Sequence, residues 1–579
     1  MRSTDWRSHQ ALLVALACLL AGPALATIRY LSQDGSDSGN ALTEATSWDT
    51  PAYALGASSS LAPGDTLMVL VDRNGAPGAV TWSTASQWFR VFVNVAKCGI
   101  SDAARTWVLP DTGAVITIDL NGQSNNDAFC LGFGNGSNAV FSNWGIGWSL
   151  GTLRFRNLAE VDGDRTDGDN DAFIRFHLST GAQDTTRNIT LENLEFDSAS
   201  IDTSVCLASF TANSSTTDWM RNVKVSNCRG YSKHGRSAIT IQQGLYCLVE
   251  NNFFHRDTTF VSGTESEPKE GINGINLQKT GTHCTVRGNE ILGFDHGMEI
   301  NGTHHLIEGN RIHTINDDFL FINGFEVNLC ESCVLRYNVC WDGGDNAIDV
   351  RGIEHEIYDN TFYSCTDNMI NFGTNYQATR CRIYNNLFFN TASTDYFLAS
   401  NPHNGLASCF FDGNWYYDNA GTEPDWVYSG TGHTFSVWQA AGRDVHGYWN
   451  VDPKLYSNSI AASTNLRPVS GSGMLHTGLY GRTIGGLACA DCFWPQLTVT
   501  GDVDSVHYAL FSRLRVPVIR FQNAALWSDG NVRFADVDLD STATGRGQQI
   551  GRWVVYEGGD STIVADDVIL EHVQRRPYR

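Results

Sequence analysis

The sequence predicts an all-β chain whose central body is a right-handed parallel β-helix solenoid, followed by a small C-terminal accessory β region. Three observations carry that reading. A six-residue phrase ending in asparagine recurs along the chain, its spacing has a floor with a variable excess, and apolar residues alternate with polar ones inside each copy.

The first 26 residues read as a signal peptide. Arg2 and Arg7 precede the apolar run from Ala11 to Leu20, and Ala24-Leu-Ala26 offers a small-x-small cleavage site before Thr27. That run is shorter than the roughly 18 apolar residues a spanning helix needs, and no later stretch reaches that length. The mature protein is therefore expected to be secreted, extracellular or periplasmic, with no membrane span. Without the leader the chain carries 37 basic and 61 acidic residues, a net charge of −24. Such a surface repels nucleic acid and anionic lipid, whose binding depends on Lys and Arg contacts to phosphate. An acidic glycan stays open as a partner through a local basic cleft or a bound cation. Gly is abundant (56) and Pro scarce (13), which suits many turns between short strands. The length exceeds a usual single core unless repetition elongates it. A monomer is the expected state.

The repeated phrase appears as Cys247-Leu-Val-Glu-Asn-Asn252, Cys284-Thr-Val-Arg-Gly-Asn289 and His305-Leu-Ile-Glu-Gly-Asn310. It continues through Asn338, Asn360, Asn386 and Asn414, at intervals of 37, 21, 28, 22, 26 and 28 residues. Looser copies run back through Asn227 and Asn193 to about Asn157. One constant coil plus loops of differing length explains such numbers. Each copy holds short strands of period two, and coils stacked at about 4.8 Å bury one continuous core. Asn suits the corner because its side chain bonds neighbouring backbone and tolerates a left-handed conformation.

Tyr30-Leu-Ser-Gln-Asp-Gly-Ser-Asp37, Pro51-Ala-Tyr-Ala-Leu55 and Leu61-Ala-Pro-Gly-Asp-Thr-Leu67 resemble the opening of secreted proteins of the pectate-lyase-like superfamily. That resemblance implies a first coil and a short capping helix within about residues 28–70. Trp438-Gln-Ala-Ala-Gly-Arg-Asp444, Val451-Asp-Pro-Lys-Leu455 and Leu466-Arg-Pro468 resemble the closing coils of the same proteins. A β-helix domain over 27–480 is thereby implied, of a type shared by polysaccharide lyases, glycoside hydrolases, epimerases and tailspikes. From 481 to 579 the phrase disappears, and runs such as Val516–Phe521 and Trp553–Tyr556 suggest the accessory β region.

Reactive groups on such a scaffold are sought on one sheet. The aligned strand cores are Ile275-Asn276-Leu277, Met298-Glu299-Ile300, Leu320-Phe321-Ile322, Ile348-Asp349-Val350 and Ile370-Asn371-Phe372, with Ile174-Arg175-Phe176 earlier. Apolar positions point inward, so the middle residue points out. Two positions on, the same face carries His177, Gln278, Asn301, Asn323 and Arg351. At each strand start stands an aspartate: Asp171, Asp295, Asp317, Asp345 and Asp367. Stacked carboxylates repel by about 1 kcal/mol per pair even in water. Either turn N–H groups and solvent satisfy them, or Asp295, Asp317, Asp345 and Asp367 bind Ca²⁺, which takes six to eight oxygens.

Glu299 and Asp349 lie two coils apart, roughly 9.6 Å by strand spacing, a separation open only to an inverting glycoside hydrolase. Lyase chemistry needs a base for the proton α to a uronate carboxyl and a cation beside the resulting charge. Arg351 suits the second task. Lys233, His234 and Arg236 form a basic cluster, and the insertion from His255 to Glu270 brings Arg256 and Lys269 toward a cleft wall. Asn276, Asn301, Asn323, Asn371, Arg175 and His177 are candidate sugar contacts, and Phe321 a stacking platform. Each of these charges also has a plain solvated reading.

Fourteen cysteines remain after export. Cys247, Cys284, Cys333, Cys381 and Cys409 share one inward repeat position with His305 and His355. A stack of small side chains explains that column better than a metal, and bridges Cys247–Cys284 and Cys381–Cys409 fit the spacing of adjacent coils. Neither Cys330-x-x-Cys333 nor Cys489-x-x-Cys492 has a matched second pair for zinc. The sequence thus favours a secreted enzyme that degrades an extracellular polysaccharide, a lyase on uronic-acid glycans ahead of the inverting hydrolase. A non-catalytic glycan-binding or adhesion protein is the reading from another class.

Overall fold

The computed structural model describes most of residues 26–455, a few single residues between Leu466 and Gly485, and the backbone of seven strands between Gln496 and Ile569. The leader, Asp171, Lys233, His234, Arg236, Lys269, Cys489 and Cys492 lie outside the described residues. The chain divides into one unit ending at Cys247 and another beginning at Leu248.

In the first unit the apolar–polar alternation becomes strands of three parallel sheets. One opens with Ile28–Leu31 and Thr66–Val69 in register and continues through Thr106–Pro110, Ser142–Ile146, Thr185–Glu192 and Trp219–Ser226. A second joins Ala79–Trp82 to Val115–Gln123, Thr152–Leu158, Leu194–Ser198 and Arg229–Ser232. A third contains Phe129–Phe133, Ala172–Leu178, Cys206–Ala212 and Ser237–Gln242. Like residues fall above like in stacked coils, so Phe133, Phe176 and Phe210 form a column with ring centroids 4.1 and 5.1 Å apart. Pro51–Leu55 is a short helix whose Thr50 hydroxyl accepts from the Tyr53 N–H, with Pro at the first turn where its missing donor costs nothing.

The second unit repeats the three-sheet plan. Its first sheet runs from Leu248–Glu250 to Phe410–Asp412 and its second from Phe253–Arg256 to Tyr448–Trp449. The third holds Asn273–Gln278, His296–Ile300, Leu320–Ile322, Ile348–Val350, Asn368–Phe372, Tyr396–Ser400 and Asp425–Tyr428, all parallel. Thr431–His433 closes that sheet antiparallel. The outer faces decide where chemistry is open. On the second sheet Trp341, Tyr363, Leu387, Phe389 and Trp415 are covered by Leu455, Leu466, Met474 and Ile484. On the first, Glu250 pairs with Arg287 and Glu308 with Arg336. The third carries the acids.

The Asn column from Asn252 to Asn414 is one ladder. Each side-chain carbonyl accepts both the backbone and the side-chain N–H of the Asn one coil earlier, and each amide also donates to a carbonyl of that earlier coil. The left-handed turn belongs to the residue before it: Asn251, Gly288, Gly309, Tyr337, Asp359, Asn385 and Gly413 have φ between 53° and 67°. Gly-Asn and Asn-Asn thus divide two tasks that a single corner Asn was expected to perform. Asp444 terminates the ladder, accepting from the Asn414 backbone and side chain and from the Tyr416 hydroxyl. Burial pushes its carboxyl up to about 7.

A carboxyl raised in the folded state adds stability that is full below its unfolded value near 3.8 and is lost as pH rises through about 7. Asp444→Asn should therefore raise the melting temperature at pH 8 and change it little at pH 4. Equal shifts at both pH values would contradict this origin.

Beyond residue 495 the strands are antiparallel, unlike the coils. Gln496–Val499, Val532–Asp536 and Ala525–Asp529 form one sheet. Pro517–Asn523, Ser505–Ser512, Gln549–Glu557 and Asp560–Ile569 form another. Among the described residues no helix is long and apolar enough to cross a membrane.

Candidate functional site

On the third sheet of the second unit the middle row is Asn276, Glu299, Phe321, Asp349 and Asn371, each paired in register with the next. Glu299 sits in a nest of amides. One carboxylate oxygen accepts from Asn273 (2.8 Å) and Asn276 (3.0 Å), the other from Asn301 (3.1 Å) and Asn323 (2.8 Å). Its lone pairs are therefore committed to the protein.

Asp349 is buried and gripped bidentately by Arg351, Nε to Oδ1 at 3.2 Å and Nη2 to Oδ2 at 2.8 Å, with Asn371 at 3.4 Å. Burial raises the Asp349 carboxyl even though Arg351 works against it. Phe321, expected as a sugar platform, lies 5.1 Å from the parallel His296 ring of the coil before. The Arg351 guanidinium of the coil after stands 4.6 Å from its centre. Three side chains from three coils thereby hold one another, and a cation over an aromatic face adds about 0.5–2 kcal/mol.

The Asp column is continuous. The Asp317, Asp345 and Asp367 N–H groups each donate to the carbonyl of the Asp one coil earlier, beginning at Asp295. Its side chains differ in their partners. Asp295 is neutralised by Arg256 at 3.0 Å and also accepts from Asn316. Asp367 accepts from Asn368. Asp317 and Asp345 hydrogen-bond each other, and burial together with that neighbour pushes Asp345 up to about 6.

Sequence reading missed the row directly after this column: His296, Asp318, Asn346 and Asn368. The Asp318 carboxylate accepts from Asn346, and Asn346 accepts from Asn368. Asp318 is buried, which pushes its carboxyl far above the usual range, and Asp349 and Asp317 add to the rise. His296 lies 3.6 Å from an Asp317 oxygen and 3.7 Å from an Asp318 oxygen. Burial lowers its proton affinity despite the acids around it. Its Nδ1 is buried without a hydrogen bond. The signal available in the sequence was a doublet, Asp-His, Asp-Asp, Asp-Asn, Asp-Asn, recurring at each strand start.

Ligand atoms of His296, Asp317 and Asp318 all lie within 4.8 Å of one another, so these three can hold a divalent cation. The fit has a physical basis: Asp318 is buried with a carboxyl of raised proton affinity, the half-buried Asp317 beside it is raised as well, and His296 Nδ1 is an orphaned imidazole nitrogen. Arg175 and His177 stand on the strand Ala172–Leu178 of the first unit, Arg175 with a buried side chain. Cys381 and Cys409 bring their sulfurs within hydrogen-bonding reach of each other. The Cys247 and Cys284 thiols donate to the carbonyls of Met220 and Thr282 respectively.

No protein family matches the chain, and no curated protein is similar to it in sequence. Its structure is similar to XylC in complex with xylose, at 11% identity over 91% of this chain and 100% of that one, TM-score 0.45. It is similar to the A-module of Azotobacter vinelandii mannuronan C-5 epimerase AlgE4, at 14% identity over 61% and 86%, TM-score 0.40. Pectate lyase Pel9A is similar at 12% identity over 79% and 95%, TM-score 0.42. The chain is a right-handed parallel β-helix by its own stacked, parallel sheets.

Proposed function

We propose that this chain is an exported carbohydrate-active enzyme that cleaves a uronate-containing polysaccharide by β-elimination. The supporting observation is the charge imbalance on the third sheet. Asp317, Asp318, Asp345 and Asp349 all have raised proton affinity, and Arg351 pairs with one of the four, Asp349. An acidic centre on an acidic chain accepts an anionic glycan when a cation mediates. Bound at His296, Asp317 and Asp318, a divalent cation would supply charge neutralisation for the uronate carboxylate. Arg351, oriented by Asp349 and the Phe321 ring, meets the substrate's negative charge. Asp345, whose carboxyl hydrogen-bonds Asp317 beside that site, stands as the base for the α proton. Asn301 and Asn323, half-buried at the rim of the Glu299 nest, offer amide groups to sugar hydroxyls.

Incubation with a panel of polyuronates and neutral glycans tests the reading. The expected result is the ultraviolet absorbance of unsaturated uronate ends, lost in EDTA and restored by a divalent cation. EDTA should also lower the melting temperature, since a ligand of the native state stabilises it by mass action. Reducing ends without that absorbance would replace elimination by inverting hydrolysis at Glu299 and Asp349. Binding without cleavage would leave a non-catalytic glycan-binding protein.

A further inference from the structure

The inward column of the second unit pairs each residue with one three positions earlier: Gly281 with Cys284, Gly302 with His305, Cys330 with Cys333, Gly352 with His355 and Ala378 with Cys381. The two histidines behave alike. His305 Nδ1 accepts from the Cys284 N–H at 3.1 Å, and its Nε2 lies 2.9 Å from the Asn301 carbonyl. His355 Nδ1 accepts from the Cys333 N–H at 3.2 Å, and its Nε2 lies 3.0 Å from the Arg351 carbonyl. Both ring nitrogens of each are thereby used, which makes them neutral Nε2–H tautomers. A Cβ at Gly302 would come within 2.9 Å of His305 Nε2, and one at Gly352 within 2.8 Å of His355 Nε2. A column His therefore requires Gly three residues earlier, whereas a column Cys leaves room for a side chain. Ala378 uses that room for a methyl group. Cys330 uses it for a second thiol.

The Cys330 and Cys333 sulfurs are 3.7 Å apart and both residues are fully buried. Cys330, Cys333 and His355 have the proximity of a metal site. The His355 bonds argue against one, because His305 makes the same bonds where no second thiol exists.

We propose that Cys330 and Cys333 are a modification site: they close an intrachain disulfide, a staple at the corner behind Arg351. The chemistry is thiol–disulfide exchange. One cysteine thiolate attacks a sulfur of a disulfide oxidant and releases one oxidant thiol. The other cysteine thiolate then attacks the mixed disulfide and releases the second. The protein pair loses two electrons and two protons, and the oxidant is reduced to two thiols. The sulfurs move from 3.7 Å to a bond of about 2.05 Å, a shift within reach of side-chain rotation. With both groups buried in the folded chain, closure takes place while the corner is still open during folding.

The experiment refolds the full chain from denaturant in a buffer of oxidised and reduced glutathione, then alkylates it in denaturant without reductant. Peptide mass spectrometry should find the Cys330–Cys333 peptide two hydrogens light and unalkylated, with Cys340 and Cys365 alkylated. Reductant should lower the melting temperature of this protein by a few degrees. Cys330→Ala, which copies the Ala378–Cys381 pair, should fold and melt independently of reductant. Two alkylated cysteines at 330 and 333 would overturn the proposal. So would a stoichiometric thiophilic metal whose removal by chelator exposes both thiols.

Discussion

Arg351→Ala should cut turnover on the cleaved polysaccharide by at least about 100-fold, the scale lost when a positioned electrostatic donor leaves a reacting centre. It should cost stability as well. Arg351 makes two hydrogen bonds to Asp349, whose side chain is only 4% exposed. Removing one partner of a buried pair costs about 3–5 kcal/mol when the other charge is stranded. That range is an upper bound in acid. Burial already raises Asp349, and loss of the guanidinium raises it further, so the stranded carboxyl protonates as pH falls. A folded-state value above the unfolded one gives stability that is lost as pH rises, so the deficit of the variant widens from acid to neutral pH. Adding Asp349→Asn removes the stranded charge. The double variant should regain most of the melting temperature and none of the turnover. Thermal melts across pH beside product formation check this, and a double variant with near-wild-type turnover would move the site elsewhere.

Asn338→Ala should be among the most damaging single changes to the fold. Asn338 is fully buried. Its carbonyl accepts from the Asn310 backbone and side chain, and its amide donates to Ile307 and Asn360. Truncation leaves two N–H groups and a carbonyl without partners, each costing about 1–3 kcal/mol, so a loss on the order of 5 kcal/mol is expected. Asn338→Asp should be worse, because a carboxylate there would face the acceptor oxygens of Asn360 and Ile307. Denaturant unfolding measures both. A loss below about 1 kcal/mol for the alanine variant would mean that relaxation or water replaces the rung.

The coils were legible because two independent periods coincide in the sequence. Alternation gives strands, and recurrence of Asn gives the corner. The outward row Asn276, Glu299, Phe321, Asp349 and Asn371 followed from the same alternation. His296 and Asp318 escaped it because they stand at the strand start, His296 as its first residue and Asp318 just before Leu320–Ile322, ahead of the aligned apolar cores. Asp295 and Arg256 are 39 residues apart, so their pairing is a property of stacking and no local pattern announces it. The amide strip was visible, but its purpose was not: those amides converge on Glu299 before they reach any sugar.

The asparagine ladder also has a direction, since every rung gives its backbone N–H and one amide N–H to the side-chain carbonyl of the C-terminal neighbour, and its own side-chain carbonyl takes the same pair from the N-terminal one. An interior coil is thus a unit with a donating side and an accepting side, and a duplicated coil inserted between two others would leave no rung unsatisfied. Asp444 cannot be copied in that way. It receives at its N-terminal side and has nothing to give on the other, so it acts as an end group. The number of coils is consequently a quantity that gene duplication can change freely, while the residue at 444, which only receives, stays last.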